Sequence, residues 1–155
     1  MTESDGYAVT TDYDDLDRPT RITYSDGTYE ETTYTRLNAT DQRDRLGRWT
    51  HFFYDAVRRL VLTSDPMNRT IRQQWCVCGV LDKLIDANGN TTSWERDAAG
   101  RLTKEIRADN SQTLYASENT TSRLKRRTDP KSQYRDTTYY KDNTIQQISY
   151  PNRLP

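Results

Sequence analysis

Few groups in this chain are equipped for chemistry. His51 is the single histidine, so an imidazole base can stand nowhere else. Its neighbours at strand spacing are Trp49 and Phe53, which puts it on the opposite face from Phe52 and Tyr54. No serine or cysteine around it resembles a nucleophile motif, so an exposed or packed sheet histidine is expected. Cys76 and Cys78, the two cysteines, are one residue apart. On a strand they would point to the same face, and a bridge between them would be strained. They supply half of a tetrahedral zinc set, which one histidine does not complete. Buried free thiols are expected, with a redox or intermolecular metal role as the alternative.

The carboxylates read as architecture. Asp86-Ala-Asn-Gly-Asn90 mimics the opening of a calcium loop, yet Thr91 and Asp97 stand where Gly and Glu would be required. Asp44, Asp65, Asp86 and Asp129 are spaced along the chain, as turn-formers are, and not paired as a general acid and base. Lys125-Arg-Arg127 and Arg58-Arg59 are short basic runs whose default is solvation or cross-strand pairing. Asn-x-Thr sequons at Asn38, Asn68, Asn90 and Asn119 fall where turns place Asn and Thr anyway. No catalytic, cofactor or metal set emerges, so the chain is not expected to be an enzyme.

What positions these residues is a repeat. The 155 residues are 32% apolar and 30% charged, with 23 basic and 23 acidic side chains, a balance that argues against a nucleic-acid or anionic-membrane surface. No apolar run is long enough to insert into a bilayer, and Met1-Thr-Glu-Ser-Asp-Gly lacks the pattern of a signal peptide. Low hydrophobicity suggests disorder, but eleven tyrosines oppose it, because tyrosine suits half-exposed sheet positions. Large aromatics recur at Tyr13, Tyr34, Tyr54, Trp75, Trp94, Tyr115 and Tyr139, and turn elements of the form Asp-x-x-Gly recur twice per interval. Markers for the left-handed turn residue are Asp17, Gly27, Asn38, Gly47, Arg58, Asn68, Gly79, Gly89, Gly100, Asn110, Ser122, Ser132 and Asn143. Between them, runs such as Thr50-His-Phe-Phe-Tyr54 alternate at period two.

An all-β fold follows: a meander of about 12–13 short antiparallel strands, two per repeat of about 21 residues. A sheet this long must twist, and the apolar content is too low for a thick sandwich. A curved, spiralling single layer lined on its inner face by aromatic and Arg side chains is expected. The array covers residues 7–150 as about six to seven repeats, a count that comes from the aromatic spacing. Residues 1–6 and 151–155 are expected to be the ends of an incomplete array. The architectural residues are the seven aromatics with Asp44, Gly47, Asp65, Gly79, Asp86, Gly89, Asp97, Gly100 and Asp129.

Asp44-Arg-Leu-Gly-Arg-Trp-Thr-His-Phe-Phe-Tyr-Asp55, Asp86 through Trp94, Arg96-Asp-Ala-Ala-Gly-Arg-Leu-Thr103 and Asp129 through Tyr140 resemble the YD repeat of rearrangement-hotspot (Rhs) proteins. Trp75-Cys-Val-Cys-Gly-Val-Leu81 is similar to a Cys-x-Cys-Gly variant of that repeat. The resemblance implies a large secreted or surface-delivered polymorphic toxin whose repeats form a spiralling β-cocoon around a C-terminal toxin domain; teneurins, the alternative kind of parent, carry a related shell. It departs from the pattern where Arg58, Ser122 and Ser132 replace glycine and where Ala116-Ser117 replaces Tyr-Asp. The self-cleaving core motif of the family is not found in this sequence. The expected role is structural, enclosing or scaffolding an associated polypeptide in contact with neighbouring repeats. The rival is a carbohydrate- or heparin-binding repeat module.

Overall fold

The structure, a computed structural model, describes residues 8–151. The expectations for residues 1–6 and for the tail after Pro151 lie outside the described residues. Fourteen strands are present among those described: β1 (Val9–Tyr13), β2 (Pro19–Tyr24), β3 (Tyr29–Thr35), β4 (Asn38–Arg43), β5 (Trp49–Tyr54), β6 (Leu60–Ser64), β7 (Thr70–Trp75), β8 (Leu81–Ile85), β9 (Thr91–Arg96), β10 (Leu102–Ile106), β11 (Gln112–Ser117), β12 (Leu124–Thr128), β13 (Tyr134–Tyr139) and β14 (Ile145–Ser149). The fold is all-β. Thirteen bends separate fourteen runs, so the strand number slightly exceeds the expected twelve to thirteen.

The chain divides into two units at Gln73/Gln74. In the first, β1 through β7 pair in chain order, each strand antiparallel to the one before it. In the second, β8 through β14 do the same. Strands therefore touch only their chain neighbours, and each unit is one layer. Register slips recur just before the turns, at Asp12/Tyr13, Thr33/Tyr34, Phe53/Tyr54, Ala116/Ser117 and Thr138/Tyr139. A bulge there bends the strand and re-aims the terminal residue, which in most of these cases is the tyrosine of the repeat.

No hydrophobic side chain among the described residues is buried; the buried residues are Thr113 and Thr137. A conventional core does not hold the fold. Half-buried faces and the backbone ladder carry the stability, helped by side chains that tie turn to turn. This follows from a sequence with too few apolar residues to fill a second layer.

The left-handed residues are Asp17, Gly27, Arg36, Gly47, Arg58, Asn68, Gly79, Gly89, Gly100, Asn110, Ser122, Ser132 and Asn143. One sequence marker is displaced: Asn38 opens β4, and Arg36 (φ 57) takes the left-handed role. The reason is loop length. Thr35 pairs directly with Asn38, leaving a two-residue bend, Arg36-Leu37, where the other connections use longer ones.

Candidate functional site: turn clamps and rim ties

Most of the bends are built on one plan. The first residue of the turn donates its N–H to the carbonyl four residues on, and the fourth residue donates back to the first, as in Asp14 N–H to Arg18 O (3.0 Å) and Asp17 N–H to Asp14 O (3.0 Å). The aspartate then closes the turn with its own carboxylate. Oδ1 of Asp14 accepts from the N–H groups of Leu16 and Arg18, and Oδ2 accepts from Arg18 Nε at 2.8 Å. Arg18 Nη2 completes a two-pronged ion pair at 2.6 Å. The same clamp forms in Asp44/Arg48, Asp55/Arg59, Asp65/Arg69 and Asp97/Arg101. A planar guanidinium matches a carboxylate in this geometry, which lysine does not.

The carboxyls respond. Asp14, Asp44, Asp65 and Asp97 are held below the ordinary aspartate value, first by the arginine side chain. Asp55 is lowered first by the backbone N–H of Arg59. Asp86 uses Asn90 in the same way, through Oδ1 and Oδ2, and its pKa falls with it. In the Asp129 turn, Lys131 and Gln133 donate their N–H groups to Oδ1. Asp86 thus spends its carboxylate on its own turn, as a turn-former does.

The arginines reach further. In an antiparallel meander every second turn lies on the same rim. Arg18 Nη1 donates to Arg36 O (2.8 Å) in the next turn on its rim, and its guanidinium lies 4.1 Å from the centre of the Tyr34 ring. Tyr34 Oη donates back to Pro19 O at 3.2 Å. In the second unit Arg123 repeats the arrangement, with its Nη1 on Tyr140 O (3.1 Å), Tyr139 beneath it at 4.7 Å, and Tyr139 Oη on Leu124 O at 2.9 Å. Tyr54 Oη reaches Ala39 O at 2.9 Å, with Asn38 in the arginine's place. Arg101 Nη1 reaches Glu118 O at 3.1 Å, while Ser117 occupies the tyrosine's place. Here Glu118 heads a turn one residue longer, bonding Thr121 and Arg123.

Among the sequence-selected aromatics, Tyr34, Tyr54 and Tyr139 make these ties, and Tyr13 is exposed on the rim of β1. Trp75 closes β7. Trp94 and Tyr115 stand two residues before the corresponding strand ends, Arg96 and Ser117; Tyr115 Oη donates instead to Glu105 at 3.2 Å. Of the glycines, Gly27, Gly79, Gly89 and Gly100 have open space where a Cβ would stand, whereas at Gly47 it would meet Arg43 Nη2 at 3.1 Å. The partners that sequence reasoning passed over are the arginines. Their signal was present as Asp-x-x-x-Arg, but their reach to the next turn depends on register.

Cys76 and Cys78 correct the expectation of buried free thiols. They form a disulfide, Cα–Cα 5.1 Å, and Cys78 is exposed. The expectation assumed a strand, but Cys76 heads a turn: its N–H bonds Val80 O, and its Sγ accepts the Val80 N–H at 3.4 Å, where aspartate Oδ1 would act. Turn backbone allows an approach that a strand forbids. With Val80 in the arginine's place, the covalent link replaces the clamp.

His51 faces Asp41 across β4 and β5, with Nδ1 2.6 Å from Oδ1, and this contact lowers the Asp41 pKa. Ser64 lies opposite His51 on β6. The row Asp41–His51–Ser64 has the residue types of a hydrolytic triad, and sequence reasoning missed both neighbours because they lie on other strands. Ser64 makes no hydrogen bond to His51, and central-strand N–H groups are spent in the ladder, so none is left to hold an oxyanion. Among the described residues no group of three or more His, Cys, Asp or Glu gathers as a metal site.

Residues 83–112 match the model of the RHS repeat family. No curated protein matches the sequence. In structure the chain is similar to part of a TcdB2-TccC3-Cdc42 crystal structure (TM-score 0.75, 16% identity, 99% of this chain) and of a TcdB2-TccC3 crystal structure (0.75, 17%, 99%). It is also similar to part of a Photorhabdus luminescens Tc holotoxin pore carrying a TccC3 mutation (0.69, 15%, 97%). It spans 9% of the length of each of those chains. The turn-and-strand unit of the matched residues recurs on either side of them.

Proposed function

We propose that this chain is a wall segment of an Rhs-type β-cocoon that encloses an associated polypeptide and performs no bond chemistry itself. The observation that carries the proposal is that each unit is a single layer of strands with no buried hydrophobic side chain among its described residues, tied turn to turn along its rims. Such a sheet has two free faces and is suited to separating two spaces. Its likeness in fold to a stretch of the Photorhabdus luminescens structure supports this reading, since that structure is named a Tc holotoxin pore. A similar TcdB2-TccC3 crystal structure is described as lacking a hypervariable C-terminal region (TM-score 0.57, 13% identity), which fits a shell that carries a variable cargo. By the same reading the parent protein is secreted or delivered to a cell surface.

The rival glycan-binding reading needs bare aromatic faces for sugar rings to stack on. Tyr24, Tyr29, Tyr34, Tyr134 and Tyr139 are instead faced by arginine guanidiniums. The test is to express the open reading frame that contains this chain and digest it with a nonspecific protease. An enclosed segment is expected to survive in the intact protein and to be cut once Gly100→Val and Tyr139→Ala weaken the wall. Equal cleavage before and after refutes enclosure, and retention of the chain on heparin at moderate salt favours the rival.

A further inference from the structure

Among the described residues of the second unit, Arg96, Arg127 and Arg135 take part in no ion pair, and the last two face each other. Arg127 on β12 and Arg135 on β13 are register partners, so their side chains leave the same face directly opposite one another. Like charges so placed repel. The usual remedy is visible one residue away on the other face, where Arg126 is paired with Asp136 through Nε at 2.6 Å and Nη2 at 2.7 Å. Arg127 and Arg135 have no ion pair among the described residues. Arg135 Nε is buried without a hydrogen-bond partner.

The rest of this face shows what surrounds them. Tyr115 lies opposite Arg127 on β11, and Thr113, two residues earlier, is fully buried with its hydroxyl unpartnered. Glu105, opposite Thr113, is the face's carboxylate in this stretch, and it is already engaged by Tyr115 Oη and by Arg107 at 3.0 Å. Arg135 Nε and the Thr113 hydroxyl are therefore buried without partners on one face, beside a part-exposed Arg127 that has no ion pair. Buried unsatisfied donors are costly, and a planar fork beside another is a fit for carboxylate.

We infer that Arg127 and Arg135 form a carboxylate-binding site for an acidic segment of the polypeptide that lies against this face. The inference rests on the enclosing role proposed above and gives that cargo a chemistry. A polypeptide is favoured over a polyanion because the chain's 23 basic and 23 acidic residues cancel, leaving no broad positive field to concentrate heparin or nucleic acid. Two arginines suit one or two carboxylates.

The test is an NMR titration of the 155-residue chain with a hexaglutamate peptide, read at the arginine Nε–Hε resonances. Arg127 and Arg135 signals are expected to shift while that of Arg126, on the opposite face, stays in place. Arg127→Gln with Arg135→Gln is expected to weaken hexaglutamate binding at least tenfold, and Arg126→Gln less than twofold. Arg135→Lys, which keeps charge but loses the fork, falls between and guards against a folding artefact. Absence of hexaglutamate binding overturns the site, as does equal loss in Arg126→Gln. Tighter binding of a heparin hexasaccharide through the same arginines overturns the polypeptide occupant. Because the readout is direct binding, either failure is distinguishable from failure of protease protection.

Discussion

Substituting Gly100 isolates the backbone contribution of a turn. Gly100 has φ +79, and a Cβ built there meets nothing within 4 Å, so a side chain adds conformational strain and no collision. An alanine in the left-handed region costs about 1–2 kcal/mol. A β-branched valine is disfavoured further, and about 2–3 kcal/mol is expected. Asparagine is cheap, because Asn68, Asn110 and Asn143 already hold the equivalent place at φ 59, 62 and 71. For a chain of this size, each kcal/mol moves the melting temperature by about 2–4 °C. Thermal melts followed by circular dichroism should therefore rank Asn above Ala above Val, with Val about 4–12 °C below wild type. Lys104→Ala, which removes a part-exposed pair with Glu95 at 3.0 Å, should cost no more than about 1 kcal/mol. The converse change supplies a second arm. Arg58 is left-handed at φ 66, and Arg58→Gly should raise stability by about 0.5–1 kcal/mol, relief of strain exceeding the entropy glycine adds to the unfolded chain. A Val variant that melts with wild type, or an Arg58→Gly variant that melts lower, refutes the reasoning.

Three further outcomes are expected. The clamp carboxyls of Asp14, Asp44, Asp65 and Asp97 have folded pKa values lowered by arginine; their contribution is present above the ordinary aspartate pKa and lost as pH falls through the lowered one. Urea midpoints should thus hold steady above about pH 5 and decline below about pH 4, and Asp44→Asn should flatten that decline; an unchanged profile argues against the clamp. Reducing Cys76–Cys78, which closes a three-residue loop in a turn, should destabilise by about 1.5 kcal/mol, seen as a melt about 3–6 °C lower in dithiothreitol; a Cys76→Asp, Val80→Arg double variant should be insensitive to reductant. Tyr139→Phe removes the hydroxyl tie to Leu124 O at 2.9 Å but keeps the ring under Arg123, so it should cost about 0.5–1.5 kcal/mol by chemical denaturation, and Tyr139→Ala clearly more.

What was legible in the sequence was local. Asp-x-x-Gly fixes a bend by contacts within five residues, so spacing alone located the turns and, by subtraction, the strands. Asn38 misled because a two-residue loop and a longer one can both present an Asn near a bend, and the choice between them is made by the pairing of Thr35 with Asn38. Cys76 misled for a related reason: a Cys-x-Cys pair was judged on strand geometry, while its Gly79-Val80 context matched the turn pattern with cysteine in the aspartate's place. The ties from Arg18 to Arg36 and from Tyr54 to Ala39 were not readable. They depend on register slips such as Phe53/Tyr54, which no residue type announces. The facing of Asp41, His51 and Ser64 and of Arg127 and Arg135 was hidden likewise, since partners lie ten or so residues apart at distances that turn length sets.

The ties also explain why so polar a chain can hold a sheet. A strand pair alone is marginal in water, and without a second layer each repeat has little apolar surface to hide. An arginine that clamps its own turn and then bonds the next turn on its rim adds a tie between two hairpins beyond the strand ladder that already joins them, as Arg18 does for the β1–β2 and β3–β4 connections on either side of the β2–β3 pair. Stability then becomes a nearest-neighbour property, and it can drift locally without collapse. Arg101 shows the drift: it keeps its clamp on Asp97 and its bond to Glu118 O, while Ser117 supplies no ring beneath it. A wall assembled this way tolerates the loss of one element of a tie because its backbone half persists. That accounts for a repeat whose residues vary from copy to copy while each bend keeps one left-handed residue.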